Sequence, residues 1–113
     1  MIDNSLLAGM IIELRRGTLT LAVLSQMNIP QYGYSLLQCL EEKGIQIEAN
    51  TLYPLMRRLE SQGLLENNWD TTSARPRKYY VLSETGKEIF EALKHEWMGT
   101  CDGINKLLRE EAL

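Results

Sequence analysis

Residues 50–60 read Asn-Thr-Leu-Tyr-Pro-Leu-Met-Arg-Arg-Leu-Glu, and this stretch decides the fold. Its apolar side chains recur at i, i+3, i+4 and i+7, the spacing of one helix face: Leu52, Leu55, Met56 and Leu59. We predict an amphipathic helix that has Asn50 as its N-cap and closes at Gly63. Pro54 then falls in or next to the first turn, where a missing backbone N–H costs least.

The face opposite this apolar stripe is polar and is expected to be accessible. A helix fits the major groove of B-DNA, where side chains of these types reach base edges and phosphates. The candidate DNA-binding residues of this helix are Asn50, Thr51, Tyr53, Arg57 and Arg58.

Upstream, the helical spacing of apolar residues over 6–27 predicts one long helix, which Gly17 bends and Pro30 terminates. A second helix is predicted over 32–43. Residues 45–48 alternate between apolar and polar, which indicates a very short extended segment before the third helix.

Downstream, residues 64–69 and 77–82 alternate in the same way and predict an antiparallel hairpin with residues 71–76 as its loop. This hairpin adds three candidate DNA-binding cations: Arg75, Arg77 and Lys78. Ser83 is a natural N-cap for a last helix of roughly 28 residues, about 40 Å long, which so small a domain cannot cover by itself.

These elements together predict a mainly α fold with a small β-hairpin. We expect a winged helix-turn-helix DNA-binding domain over residues 1–82 and a long C-terminal dimerisation helix over residues 83–113.

The overall charge is an objection to nucleic-acid binding, because the net charge is −3 and the pI is about 5.2, whereas such domains are usually basic. The charges are, however, unevenly distributed. Residues 50–82 carry five cations against three acids: Arg57, Arg58, Arg75, Arg77 and Lys78 against Glu60, Glu66 and Asp70. Since salt screens charges beyond about 8 Å, this local basic excess sets the field at the contacting surface.

The sequence offers little for catalysis or metal binding. No Ser/His/Asp or Cys/His arrangement can be assembled around His95, the single histidine, and Cys39 and Cys101 supply no zinc ligand set. We expect no enzyme, no catalytic residue, no metal and no cofactor. No targeting segment or membrane span is recognisable, so we expect a cytoplasmic protein.

Five blocks of the sequence resemble the PadR family of transcriptional regulators, particularly its short-tailed members. The resemblance covers nearly the whole chain, and T-L-Y-P-L-x-R-R-L-E followed at this distance by R-K-Y-Y is its most specific part. The blocks are Leu14-Arg15-Arg16-Gly17-Thr18-Leu19, Tyr32-Gly33-Tyr34, residues 50–60, Pro76-Arg77-Lys78-Tyr79-Tyr80 and Leu82-Ser83-Glu84-Thr85-Gly86.

The resemblance implies a bacterial or archaeal repressor that binds an inverted repeat in double-stranded DNA. It also implies a homodimer formed through the first and last helices. Family members respond to phenolic acids or multidrug compounds. The resemblance places DNA contacts on the residues that match the family pattern: Tyr34, Gln38, Asn50, Thr51, Tyr53, Arg57 and Lys78.

In the predicted last helix, apolar residues recur at alternating steps of three and four, a seam for a partner helix that Thr100 interrupts. These residues are Phe90, Leu93, Trp97, Ile104 and Leu107. Two interpretations of Trp97 stay open. It is dimer-interface core, or, as in multidrug-responsive relatives, it and its dimer mate line a cavity for a planar aromatic small molecule.

Two function classes also stay open. A DNA-binding regulator is favoured by the local charge excess, and a winged-helix protein-interaction module without a DNA target is favoured by the acidic pI. A salt-dependent gel shift separates them.

Overall fold

The computed structural model describes residues 1–111 and has the expected fold class, mainly helical with a small antiparallel sheet and a long last helix. The elements in chain order are α1 (Asn4–Arg15), α2 (Thr18–Ser25), β1 (Gln31–Tyr32), α3 (Gly33–Glu42), α4 (Ala49–Ser61), β2 (Leu65–Asp70), β3 (Arg77–Leu82) and α5 (Glu84–Glu111).

The N-terminal apolar stretch forms two helices, so the prediction of one bent helix over 6–27 was wrong. Gly17 adopts φ 85°, a left-handed conformation that glycine reaches without a Cβ penalty. Hydrogen bonds hold the chain on both sides of this break. The Arg16 N–H donates to the Glu13 carbonyl at 3.3 Å, and Thr18 Oγ1 donates to the Arg15 carbonyl at 2.7 Å. The two helices therefore meet at a defined corner.

The predicted hairpin is part of a three-stranded antiparallel sheet in the order β1-β3-β2. The additional strand, β1, is only two residues long and pairs Gln31 with Tyr80 and Tyr32 with Tyr79. It joins the start of α3 to the hairpin. The extended segment expected over 45–48 forms no strand, and Ile47 instead buries its side chain in the core.

Helix α4 begins earlier than predicted. Its N-cap is Glu48, whose carbonyl accepts from the Thr51 and Leu52 N–H groups at 2.9 Å each, so the assignment of Asn50 as N-cap was wrong. Pro54 consequently lies inside the helix and not in its first turn. It has no N–H to donate to the Asn50 carbonyl, one turn earlier on the exposed face.

The core lies between α2, α3, α4 and the sheet. Each residue of the predicted apolar stripe of α4 is buried, with at most 8% exposure at Leu55. These residues pack with side chains from the neighbouring elements: Val23, Leu24, Met27, Leu36, Leu40, Ile47, Leu65, Tyr80 and Leu82. The stripe therefore fixes which face of α4 points outward.

Helix α5 starts where the sheet ends and then leaves the domain. Ser83 caps it as predicted, with Oγ accepting from the Gly86 N–H at 2.9 Å and donating to the Gly63 carbonyl at 2.6 Å. Phe90 is the last half-buried apolar side chain that packs on the core. The described chain measures 61 × 32 × 23 Å with a radius of gyration of 17.1 Å, against about 13 Å for a compact domain of this length.

Helix α1 also extends away from the core and buries none of its residues. Its exposed apolar side chains include Leu6, Met10, Ile12 and Leu14. Within residues 1–111, no helix combines the length and the apolar character that crossing a membrane requires.

Candidate nucleic-acid interface

The outward face of α4 carries the candidate residues predicted from its sequence. Asn50, Thr51, Arg57 and Arg58 are exposed, and Tyr53 is 37% exposed. Within residues 1–111, neither arginine takes part in an ion pair. Two cations and several hydrogen-bonding groups are therefore available on a helix about 20 Å long.

The start of α3 adds a second exposed group beside α4. Tyr34 is 66% exposed, and its hydroxyl accepts from Gln38 Nε2 at 3.1 Å. These two residues were expected at the interface only through the family resemblance. Their side chains lie one turn apart and orient each other, as i, i+4 pairs on a helix surface do.

Gly33 explains how α3 and α4 come close enough to share one surface. A Cβ at this position would overlap the Tyr53 ring at Cε1 and crowd Cδ1 at 3.1 Å. The glycine in Tyr32-Gly33-Tyr34 is therefore required by close packing, because its φ is not in the left-handed region.

We predict that Gly33→Ala weakens specific DNA binding several-fold, because the added Cβ displaces the Tyr53 ring. The free energy of unfolding should change by less than about 1 kcal/mol, because the higher helix propensity of alanine offsets the packing that the displaced ring loses. Operator affinity and thermal unfolding measure the two effects separately. In a Tyr53→Ala background the same change should have no further effect on affinity. An equal loss of affinity in both backgrounds would contradict the role given to the Tyr53 ring.

We call β2, β3 and the loop between them the wing (Leu65–Leu82). Its three predicted cations have different surroundings. Arg75 is exposed in the loop and makes no ion pair within the described residues, although its carbonyl accepts from Ser73 Oγ at 2.9 Å. Arg77 stacks its guanidinium on the Tyr32 ring, 4.6 Å from the centroid. Lys78 is bound to Glu60 of α4, with Nζ 3.4 Å from Oε1.

A polar cluster at the loop end of the hairpin was not foreseen from the sequence. The Tyr32 hydroxyl donates to Asp70 Oδ2 at 2.5 Å, and Thr72 donates to Asp70 Oδ1 through its N–H at 3.0 Å and its hydroxyl at 2.6 Å. The hydrogen bonds from Thr72 and Tyr32 lower the pKa of Asp70 to about 2, and the bond to Asp70 raises the pKa of Tyr32. The ionised carboxylate therefore anchors the loop at neutral pH.

The residues predicted to bind an effector or to form the dimer interface lie on α5, and most of them are exposed. Leu93, Trp97 and Ile104 are 37%, 45% and 49% exposed, whereas Phe90 is half-buried against the core. Trp97 and Leu93 form one wall of a cavity of about 350 Å³, and the corner at Gly17 forms the opposite wall. The other lining residues are Arg16, Thr18, Thr20, Leu21, Glu96 and Thr100.

Among the described residues, no group of three or more His, Cys, Asp or Glu side chains could hold a metal ion. Cys39 and Cys101 are free thiols, and the Cys39 thiol donates to Gln26 Oε1 at 3.0 Å.

Comparison with known proteins gives one consistent family. The model of the transcriptional regulator PadR-like family matches residues 20–92, more than half of the chain. An uncharacterized protein from Lysinibacillus sphaericus is 32% identical over 71 residues, which span 59% of this chain and 65% of that protein, slightly under two thirds of its length.

Solved structures agree. A PadR family transcriptional regulator from Eggerthella lenta superposes with a TM-score of 0.83 at 51% identity, covering 93% of this chain and 94% of that one. A PadR-like transcriptional regulator from Bacillus cereus gives a TM-score of 0.78 at 28% identity, covering 85% and 96%.

Proposed function

Because this chain belongs to the transcriptional regulator PadR-like family, whose members are DNA-binding regulators and not enzymes, we propose that it is a repressor that binds an inverted-repeat operator as a homodimer. Residues 1–82 form the DNA-binding domain in this proposal, and α5 forms the dimerisation helix; the last two residues of the segment 83–113 predicted for it lie outside the described residues.

One observation carries the proposal: α4 buries an entire apolar face and presents a polar, cationic face to solvent. Tyr53 packs on Gly33 and Glu60 bonds to Lys78, so the start of α3 and the wing border this same face. The proposed DNA contacts are Tyr34, Gln38, Asn50, Thr51, Tyr53, Arg57 and Arg58 in the major groove, with Arg75 and Arg77 on the adjacent backbone or minor groove.

In vitro selection from a randomised duplex library tests DNA recognition and identifies the operator sequence in the same experiment. Enrichment of an inverted repeat, with an affinity that falls steeply with salt, is the expected result. Failure to enrich any sequence would instead support the protein-interaction module. Loss of the gene should raise transcription beside the selected site if the protein represses.

Arg57→Ala is expected to weaken binding to the selected operator by about 1 to 3 kcal/mol, because Arg57 is exposed on the outward face of α4 and can pair bidentately with guanine. Arg57→Lys keeps the charge but not the planar fork, so it should recover non-specific binding only.

Lys106→Ala is the matched control, since it removes a cation from α5 that is paired with Asp102. Unchanged operator affinity in Arg57→Ala, or an equal loss in Lys106→Ala, would contradict the placement of α4 in the groove.

A further inference from the structure

The contact between Glu60 and Lys78 joins α4 to the wing. Glu60 Oε1 lies 3.4 Å from Lys78 Nζ, and the two side chains are 23% and 32% exposed. The Lys78 ammonium also lies over the Tyr80 ring, 5.0 Å from its centroid. The pKa of Lys78 is raised, first by the neighbouring Tyr80 and further by the charge and hydrogen bond of Glu60.

We propose that Glu60 is a positioning residue for DNA binding: by binding Lys78 it fixes the wing relative to α4, and Lys78 acts through Glu60 instead of on a phosphate. This inference rests on the proposed function, because it assigns a role within the same DNA-binding surface.

The placement of Glu60 along α4 supports this role. Tyr53 and Glu60 are seven residues apart, so they lie on the same flank of the helix two turns from each other. One contacts Gly33 of α3 and the other contacts Lys78 of β3. Arg57 lies between them in sequence and is directed outward. Rotation of α4 about its axis would break both contacts and redirect Arg57.

The energetics of the pair argue against a purely stabilising role. Within the described part of the chain, Glu60 Oε2 is buried and has no hydrogen-bond partner. A partly desolvated carboxylate with one orphaned oxygen gains little net stability from its ion pair, whereas removal of the partner is costly. If Lys78 turned to a phosphate, Oε1 would also lose its partner, and neither oxygen of Glu60 would have one.

Glu60→Gln separates the two roles of Lys78, because one role predicts weaker operator binding and the other predicts equal or tighter binding. If the bridge positions the wing, the variant should bind the selected operator about tenfold more weakly, the order expected for coupled contacts, with the same salt slope and unchanged affinity for random-sequence DNA. If Lys78 is a phosphate ligand, removing the carboxylate frees it and binding should be equal or tighter. That result would overturn the proposal.

Lys78→Gln provides the reciprocal measurement. The positioning role predicts the same loss as in Glu60→Gln, no further loss in the double variant and an unchanged salt slope. A phosphate ligand predicts a slope that falls by about 0.9 and a weaker affinity for random-sequence DNA as well. Glu66→Gln is the matched control, because it removes one carboxylate of β2 that forms no ion pair within the described residues.

Rescue by charge exchange distinguishes positioning from general damage. Each single reversal, Glu60→Lys or Lys78→Glu, should lose operator affinity, and the exchanged pair should return to within about threefold of the wild type. A phosphate-binding lysine predicts that the exchanged pair is no better than Lys78→Glu alone. Thermal unfolding is measured for each variant to show that it is folded. If the wild type binds no selected duplex, the proposed function fails. If the wild type binds and the variants have the same operator affinity, only this inference fails.

Discussion

Deletion of residues 88–113 is expected to yield a monomer or an aggregate and to abolish specific operator binding. Two elements expose apolar surface that a monomer leaves in water, namely α1, which buries no residue, and α5 beyond Phe90. A second copy of the chain can cover both. Because an inverted repeat needs two recognition helices about 34 Å apart, a monomer should bind the operator at least on the order of a thousandfold more weakly.

A single charged substitution tests the same interface in the full-length protein. Leu93→Asp puts a carboxylate on the proposed seam, where pairing would desolvate it. His95→Asp is the matched control, because residues 93 and 95 lie about 200° apart around the same helix. Sedimentation should give a dimer for the wild type and His95→Asp and a monomer for Leu93→Asp. A well-behaved wild-type monomer would refute the homodimer.

Most of the fold follows from local patterns in the sequence. The i, i+3, i+4, i+7 stripe of α4 identifies the buried face, and its exposed complement contains the candidate groove residues. The hairpin and the Ser83 cap also follow from alternation and capping chemistry. In each case, the residues that decide the structure lie within a few positions of each other.

What the sequence does not reveal depends on distant contacts or on the choice between equivalent local signals. Gly17 is compatible with a bend or with a complete break, and only its φ of 85° decides for the break. Asn50 is the better intrinsic cap, yet Glu48 takes that place because the helix starts one residue before Asn50. Tyr32 and Asp70 are 38 residues apart, so no spacing rule connects them.

The charge count of the wing shows the same limit. The sequence supplies three cations there, but it does not show that Arg77 stacks on Tyr32 or that Lys78 bonds to Glu60. Those partners come from β1 and α4, elements that meet the wing only in the folded chain. Of the three cations, Arg75 makes no ion pair or aromatic contact within the described residues.

A planar aromatic compound is expected to bind at Trp97 and to loosen the operator complex. Trp97 forms a wall of a cavity of about 350 Å³, which is near the lower limit for small-molecule pockets. A dimer mate placed against α5 would close the open side of this cavity. Two rigid aromatic faces can then hold a flat ligand at little entropic cost.

Such a ligand weakens DNA binding only if it favours a dimer geometry that DNA does not. The cavity lies at the corner between α1 and α2 on one side and α5 on the other, so a ligand there can change the angle between α5 and these two helices. A coupling of about 1 to 3 kcal/mol would lower operator affinity about 5- to 150-fold. By linkage, DNA should lower the affinity for the ligand by the same factor.

Intrinsic fluorescence measures the binding step, because Trp69 is the only other tryptophan and Trp69→Phe leaves Trp97 as the sole reporter. Titration with p-coumaric acid and with a cationic planar dye should quench Trp97 emission. Anisotropy of a labelled operator with p-coumaric acid, which does not intercalate, should show release. Trp97→Phe should retain part of this release and Trp97→Ala should lose it. Absence of quenching, or release that survives Trp97→Ala, would make Trp97 interface core, and the protein a repressor without an effector at this site.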